Sequence, residues 1–238
     1  MSRDPRERAP FQPVPKSAQR KETIEKILKS IDQIASQEQR NVVIPDGYTK
    51  IGRKAFYHCS ALESIVIPRS VTEIGQWAFC GCDLLTDVVI PDSVDVIAEG
   101  AFSACTSLSW AVIPDSVARI ADNVFDACVS LAMLVISNEA TEIGEMAFRG
   151  CKALRRVEIP NSIRKIGRKA FEDCLSLVNV EIPDSVTGIE DDAFVGCDSL
   201  ERINDAPMED ASRIASEASR ITLASMGTGL LMDTSLYI

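Results

Sequence analysis

Histidine is nearly absent from this chain of 238 residues, which contains only His58. A serine or cysteine nucleophile needs a neighbouring base for activation, and histidine usually supplies it. His58 stands next to Cys59, a repeating cysteine that we expect to be buried, and so it is badly placed for this role. A phosphate-binding glycine loop is also missing, because Gly227-Thr228-Gly229 is too short for one. We therefore predict that the protein is not an enzyme and needs no cofactor.

Long apolar runs and secretory features are missing as well. No stretch approaches the roughly 18 consecutive apolar residues that a membrane-spanning helix needs. The arginine-rich start, Met1 to Lys16, has no apolar run behind it, and no asparagine has the context for N-glycosylation. We expect a cytoplasmic protein without membrane insertion. The formal net charge of −10 argues against general affinity for nucleic acid.

What the sequence does contain is one pattern of 23 residues, repeated from about Asn41 to Asn204. The series is phenylalanine at 56, 79, 102, 125, 148, 171 and 194; cysteine at 59, 82, 105, 128, 151, 174 and 197; isoleucine at 51, 74, 97, 120, 143, 166 and 189. Leu62, Ile65 and Ile67 have the spacing of a short strand, and Pro68 then turns the chain away. Each unit is thus predicted to form one coil that is stable only when stacked on its neighbours.

The signature I-P-x-S-V-x-x-I-G-x-x-A-F-x-x-C-x-x-L resembles the BspA-like class of leucine-rich repeats, and the resemblance covers about two thirds of the chain. It implies an α/β-type solenoid: a right-handed superhelix with a parallel sheet on its concave face and short helical turns or irregular structure opposite. It specifies function poorly, because such arrays occur in bacterial surface proteins and in unicellular eukaryotes in varied roles.

The flanks of the array differ from the repeats. Residues 1–19 are rich in proline and charge, which predicts a disordered arm. Residues 20–40 have apolar residues at helical spacing and predict an amphipathic helix, either a cap on the first repeat or a separate partner-binding helix. The solenoid should span 41–205, as seven units and a truncated strand that ends at Asp205 and Pro207. We expect a weak helix and a flexible tail in 206–238.

The eight cysteines do not predict disulfides, since seven share one inward position of the repeat and should be buried free thiols. Cys80 lies outside this series, in a variable column, and is therefore predicted to be an exposed, reactive thiol. Cys80 and Cys82 with His58 would leave a metal site one ligand short, so we predict no metal. At Ile136–Ala140, where serine replaces the usual proline, we expect a weak spot or bend.

The positions that point outward from the strands carry the candidate binding site. An aromatic anchor surrounded by apolar side chains and a charged rim is typical of protein-binding hot spots. The predicted concave patch consists of Val89, Trp110, Val112, Met133, Val135 and Arg156. Valine also has a high strand propensity, so the outward valines are explained either by a binding role or by strand structure alone.

A second candidate surface is basic. Residues 149–169 hold eight cations against one acidic residue, Glu158. We call this set the basic belt: Arg149, Lys152, Arg155, Arg156, Arg164, Lys165, Arg168 and Lys169. Solvated surface, contact with an acidic protein and contact with nucleic acid are the three interpretations, and the belt lacks the interleaved aromatics that base stacking would need.

These observations favour a non-catalytic protein–protein interaction scaffold that uses the concave face of a leucine-rich repeat solenoid. A cell-surface, adhesin-like binding protein is the alternative, and contact of an acidic partner or nucleic acid with the basic belt is the third. We expect a monomer with a protein or peptide partner.

Overall fold

The computed structural model describes residues 27–29, 38–204 and 206–207. Here the chain winds through seven stacked coils, each with one three-residue and one two-residue strand. The strands are β1 (Ile27–Leu28), β2 (Asn41–Val43), β3 (Lys50–Ile51), β4 (Ser64–Val66), β5 (Glu73–Ile74), β6 (Asp87–Val89), β7 (Val96–Ile97), β8 (Trp110–Val112), β9 (Arg119–Ile120), β10 (Met133–Val135), β11 (Glu142–Ile143), β12 (Arg156–Glu158), β13 (Lys165–Ile166), β14 (Asn179–Glu181), β15 (Gly188–Ile189), β16 (Arg202–Ile203) and β17 (Ala206–Pro207). Coil 1 contains β2 and β3, and each later coil contains the next two strands.

The strands form two parallel ladders in which paired residues are 23 positions apart, so the sequence period sets the register. In the first ladder, the three-residue strands form the sheets β2-β4-β6, β8-β10 and β12-β14-β16-β17. In the second ladder, the two-residue strands form β1-β3-β5-β7 and β9-β11-β13-β15. The first ladder is thus interrupted twice, between β6 and β8 and between β10 and β12. The irregular segment Ile136–Ala140 lies between β10 and β12 in the chain.

The interior is built from the repeated apolar positions. The middle residue of each complete three-residue strand points inward, as Ile65 and Val88 do. The seven phenylalanines stack nearly parallel, with adjacent ring centroids from 4.9 Å to 5.8 Å apart. Six repeat thiols donate to the phenylalanine carbonyl of the preceding coil; for Cys105 and Phe79 the distance is 3.2 Å. The cysteine series therefore packs as buried free thiols.

Turns connect each two-residue strand to the next three-residue strand and form a third side, which we call the turn face. Two positions per coil have positive φ there, for example Lys54 at 59° and His58 at 55°. An α-helix cannot continue through left-handed residues, so this side consists of turns, where short helical turns or irregular structure were expected. The described residues contain no helix, and thus none of the length and apolar character that would cross a bilayer.

The ends of the array differ from the sequence-based expectation. Ile27–Leu28 is a strand paired with Lys50–Ile51 rather than part of the predicted capping helix. The Leu28 side chain is fully buried and its carbonyl accepts a bond from Gly52, so pairing with coil 1 overrides the helical pattern at this point. At the other end, Ala206–Pro207 pairs antiparallel with β16. The arm 1–19, residues 20–26 and 30–37 of the predicted helix, and the segment 208–238 lie outside the described residues.

Candidate functional site

The outward side chains of the three-residue strands form one continuous surface, which we call the strand face. Its third-position row is valine in five successive coils, and these valines are 43% to 66% exposed: Val43, Val66, Val89, Val112 and Val135. Parallel pairing places Val43 beside Val66 and Val112 beside Val135. The row becomes acidic at Glu158 and Glu181. The patch predicted from the sequence contains only the last three valines, although the 23-residue spacing also indicates Val43 and Val66.

Two large apolar residues widen this row in coils 4 and 5. Trp110 and Met133 are paired in register in β8 and β10; Met133 is 64% exposed and Trp110 is half-buried. We call Val89, Trp110, Val112, Met133 and Val135 the apolar patch. Apolar surface of this kind is unfavourable in water, and its burial by a partner would be favourable.

A groove continues from the apolar patch across coils 5 to 7. It has a volume of about 1420 Å³ and begins at Met133 and Val135. Arg156, Glu158 and Glu181 line it further along. The third-position row of the strand face is therefore apolar over the first five coils and acidic in coils 6 and 7, where the groove lies.

The charges at the groove are accessible. The Arg156 Nη2 atom lies 3.0 Å from Glu158 Oε1, and the two side chains are 71% and 80% exposed. An exposed ion pair of this type contributes less than about 1 kcal/mol, so a partner can replace it with its own charges at little cost. Within the described part of the chain, the carboxylate of Glu181 and the guanidinium of Arg155 form no ion pair. The rim thus offers both signs of charge.

The basic belt is largely neutralised by acidic residues, three of them in neighbouring coils and two in the same coil. Five of its cations have a carboxylate within 3.3 Å: Arg149 with Asp126, Arg156 with Glu158, Lys165 with Glu190, Arg168 with Glu145 and Lys169 with Glu172. The hydrogen bond between Lys165 and Glu190 raises the pKa of the lysine and lowers the pKa of the glutamate. Only Lys152 and Arg155 lack a carboxylate or carbonyl partner in the described ranges, since Arg164 donates to the carbonyls of Asn161 and Ser185.

Four of these five carboxylates lie outside residues 149–169, so a charge count within that range includes only Glu158. Asp126 and Glu145 stand 23 residues before Arg149 and Arg168. Comparison of each cation with the residue one period away would have found both. Five of the eight cations of the basic belt are therefore in ion pairs, three of which join neighbouring coils.

The prediction that Cys80 is an exposed thiol is wrong. The residue is only 8% exposed and its thiol lies beside the Ser103 side chain. Burial raises the pKa of the Cys80 thiol, mainly by desolvation, which lowers its reactivity. Variability in the column had suggested exposure, but Tyr57, Cys80 and Ser103 in that column range from exposed to buried. All eight cysteines are buried.

Metal-binding geometry is not present in the described ranges 27–29, 38–204 and 206–207, where no three His, Cys, Asp or Glu side chains are grouped to hold an ion. The exposed His58 ring instead makes an edge contact with Tyr57, with centroids 4.3 Å apart. Lys54 lies over the Tyr57 ring, with its Nζ atom 4.6 Å from the ring centroid. The ring of the only histidine is thus packed against Tyr57.

The repeat geometry agrees with the match to a known family. The family model described as "BspA type Leucine rich repeat region (6 copies)" matches residues 34–155 and 118–218. The chain belongs to the BspA-type leucine-rich repeat family. This match confirms the resemblance seen in the repeat signature, and the stacked parallel strands are those of a solenoid. No curated protein matches the chain.

Several solved structures of bacterial leucine-rich repeat proteins share the fold. One from Eubacterium ventriosum has a TM-score of 0.66 at 24% identity and covers 77% of this chain and 47% of its own. A T. pallidum leucine-rich repeat protein has 0.52 at 28%, covering 81% and 85%. A leucine-rich cell surface protein from Faecalibacterium prausnitzii has 0.51 at 26%, covering 75% and 63%. The chain thus spans about half to two thirds of the length of two of these three proteins.

Proposed function

We propose that the protein is a non-catalytic interaction scaffold that binds a protein or peptide partner on its strand face, which we take to be the concave face of the solenoid. The observation that carries this proposal is the row of five exposed valines, widened at Trp110 and Met133. Strand propensity explains single outward valines. It does not explain Met133, whose long side chain is 64% exposed directly beside them.

The partner would bind with an apolar centre over coils 4 and 5 and with charged groups at the groove. Trp110 is the anchor, because a half-buried aromatic ring is already held in place and loses little side-chain freedom on binding. Arg156, Glu158 and Glu181 would set the orientation of the partner through charges of both signs, which contribute more to specificity than to affinity.

Affinity capture from the native cell tests this proposal, with the wild-type protein compared with Trp110→Ala and Met133→Glu. Both substitutions should reduce recovery of a specific partner at least about tenfold, the loss expected for a hot-spot residue. Tyr57→Ala is the matched control, because it removes an exposed aromatic ring from the turn face. Equal recovery of every captured protein by the wild type and both patch variants would overturn the assignment, provided that their thermal melting shows them to be folded.

A second candidate is a binding protein on the cell surface. The solved relative from Faecalibacterium prausnitzii is described as a cell surface protein, which supports this role. The eight free thiols favour a reducing, cytoplasmic location instead. Protease treatment of intact cells distinguishes the two: degradation of the protein supports the surface, and protection until lysis supports the interior.

A further inference from the structure

One inter-coil hydrogen bond is missing from the second ladder. The residue after each two-residue strand donates its amide to the preceding coil, for example Gly75 to Ile51 at 2.8 Å and Gly144 to Ile120 at 2.9 Å. The same bond is formed by the amides of residues 52, 98, 167 and 190. In the described structure Ala121 alone lacks it. Accordingly, β7 and β9 are not paired, and the second ladder divides between coils 3 and 4.

The first ladder is interrupted at the same boundary, since β6 and β8 belong to different sheets. Ion pairs of the second ladder also stop there. Arg119 contacts Glu142, and Lys165 contacts Glu142 and Glu190, but in coil 3 the corresponding position is the exposed Val96. Among the described residues, no ion pair joins coil 3 to coil 4.

The turn face, in contrast, is continuous across this boundary. The amides of Gly100, Phe102 and Ala104 donate to coil 4 at 3.0, 2.9 and 2.7 Å. The rings of Phe102 and Phe125 remain stacked, with centroids 5.5 Å apart. Near the corners of the coil, Ser109 and Ser116 each bond to a carbonyl of coil 3. The two coils are therefore joined firmly along one side and weakly along the two others.

The cause lies in two alanines at a position that is glycine in four of the other five coils. A Cβ on Gly75 would lie 2.8 Å from the Gly52 backbone, and one on Gly167 would lie 2.7 Å from Gly144, so stacked coils approach very closely here. A side chain in one of two neighbouring coils is tolerated, because Ala98 over Gly75 and Glu190 over Gly167 keep their bonds. Among the described coils, only Ala98 and Ala121 place a Cβ on both members of a neighbouring pair, and only there is the bond absent.

We propose that the boundary between coils 3 and 4 is a hinge, created by Ala98 and Ala121, with its axis along the turn face. Rotation at this boundary changes the distance between Val89 on one side and Trp110 and Val112 on the other. If the proposed binding role of the strand face holds, the hinge lets the apolar patch adapt its curvature to the partner. The hinge itself rests only on the bonds and close contacts described above.

Amide hydrogen exchange of the free protein, followed residue by residue by NMR, tests the hinge without a partner. The measured quantity is the protection factor, which corrects for intrinsic differences between alanine and glycine. In the wild type, the Ala121 amide should be at least tenfold less protected than that of Gly144. Either Ala98→Gly or Ala121→Gly should raise protection at position 121 at least tenfold, because one Cβ is tolerated and two are not.

Gly167→Ala is the reciprocal variant. It places a second Cβ beneath Glu190 at the boundary between coils 6 and 7, where the Glu190 amide bonds to Ile166. Protection of the Glu190 amide should fall at least tenfold, while that of Gly144 stays unchanged. Equal protection of Ala121 and Gly144 in the wild type would overturn the hinge, as would glycine variants that leave position 121 unaffected. These outcomes are independent of whether Trp110 binds a partner, so failure of the hinge and failure of the binding role can be told apart.

Discussion

The guanidinium of Arg149 binds both carboxylate oxygens of Asp126, 23 residues earlier, with Nε–Oδ1 and Nη2–Oδ2 distances of 2.7 and 2.8 Å. This bidentate hydrogen bond raises the pKa of the arginine. It also shows why a count of charges along the chain overstates the positive field, since the counter-charge comes from the preceding coil. The same pattern recurs at Arg168 and Glu145.

The basic belt should therefore bind polyanions weakly. The wild-type protein is expected to elute from a heparin column below physiological ionic strength, about 0.15 M, because within the basic belt only Lys152 and Arg155 lack a carboxylate or carbonyl partner among the described residues. Replacement of both by glutamate should shift elution only slightly. Asp126→Asn is the informative counterpart, since it frees Arg149 and should delay elution. Retention of the wild type above 0.15 M salt would support the nucleic-acid interpretation instead.

The thiols should be inaccessible in the native protein. All eight cysteines are buried, and burial raises the pKa of the Cys80 thiol, so little thiolate is present near neutral pH. Titration with a thiol reagent should modify well under one cysteine per native chain within minutes and all eight after unfolding. Cys80→Ala should leave the native result unchanged. If one thiol of the wild type is modified rapidly and this modification is absent in Cys80→Ala, Cys80 is exposed after all.

Burial of the thiol series also predicts a loss of stability in alkaline solution. Burial raises the pKa of Cys128, whereas an unfolded thiol ionises near about 8.5. The contribution of this thiol is fully present below that pH and is lost as pH rises toward the pKa of the folded state, because only the unfolded chain then releases the proton. Each such thiol costs about 1.4 kcal/mol per pH unit in that range.

Urea unfolding at pH 7.5 and pH 9.5 measures this effect, with Cys128→Ala as the comparison. The wild type should lose about 1.4 kcal/mol more stability between the two pH values than the variant does, because one ionisable thiol has been removed. Tyrosine and lysine also titrate in this range, but they are the same in both proteins. Equal losses would mean that the Cys128 thiol does not remain protonated in the folded state.

The sequence predicted those features of the fold that depend on one position at a time. The phenylalanine and cysteine series faces inward as expected, since each occupies the same place in every coil, and the family match confirms the repeat. The break at Ala121 could not be found in this way, because it depends on two Cβ atoms meeting across coils. Glycine at positions 75 and 144 was read as part of the signature, but its role in close coil contact needs the three-dimensional distances.

Features that depend on the environment of a residue were also missed. Cys80 was predicted to be exposed from the variability of its column, yet Ser103 in the next coil covers its thiol. Ile27 and Leu28 fit a helical pattern, but they form a strand because they pair with β3 at the edge of coil 1. For the binding surface, the sequence predicted that Val112 and Met133 face outward, and the structure shows both exposed.

The left-handed residues of the turn face give a last prediction, on stability. Ala127 has φ of 58°, and Gly150 occupies the equivalent place in the next coil with φ of 68°. An alanine in this region is disfavoured by about 1 kcal/mol relative to glycine. A Cβ on Gly150 would meet the Ala127 backbone only at 3.6 Å, an ordinary contact, so backbone conformation alone should determine the effect of substitution.

Ala127→Gly should therefore raise the free energy of unfolding by about 1 kcal/mol, and Gly150→Ala should lower it by a similar amount. Equilibrium unfolding in urea measures both, and their inter-coil bonds, from Ala127 to Arg149 and from Gly150 to Glu172, remain available in each variant. The double variant should have nearly wild-type stability, because the two changes cancel if they are independent. A destabilising effect of Ala127→Gly would show that its methyl group contributes more through packing than the left-handed backbone costs.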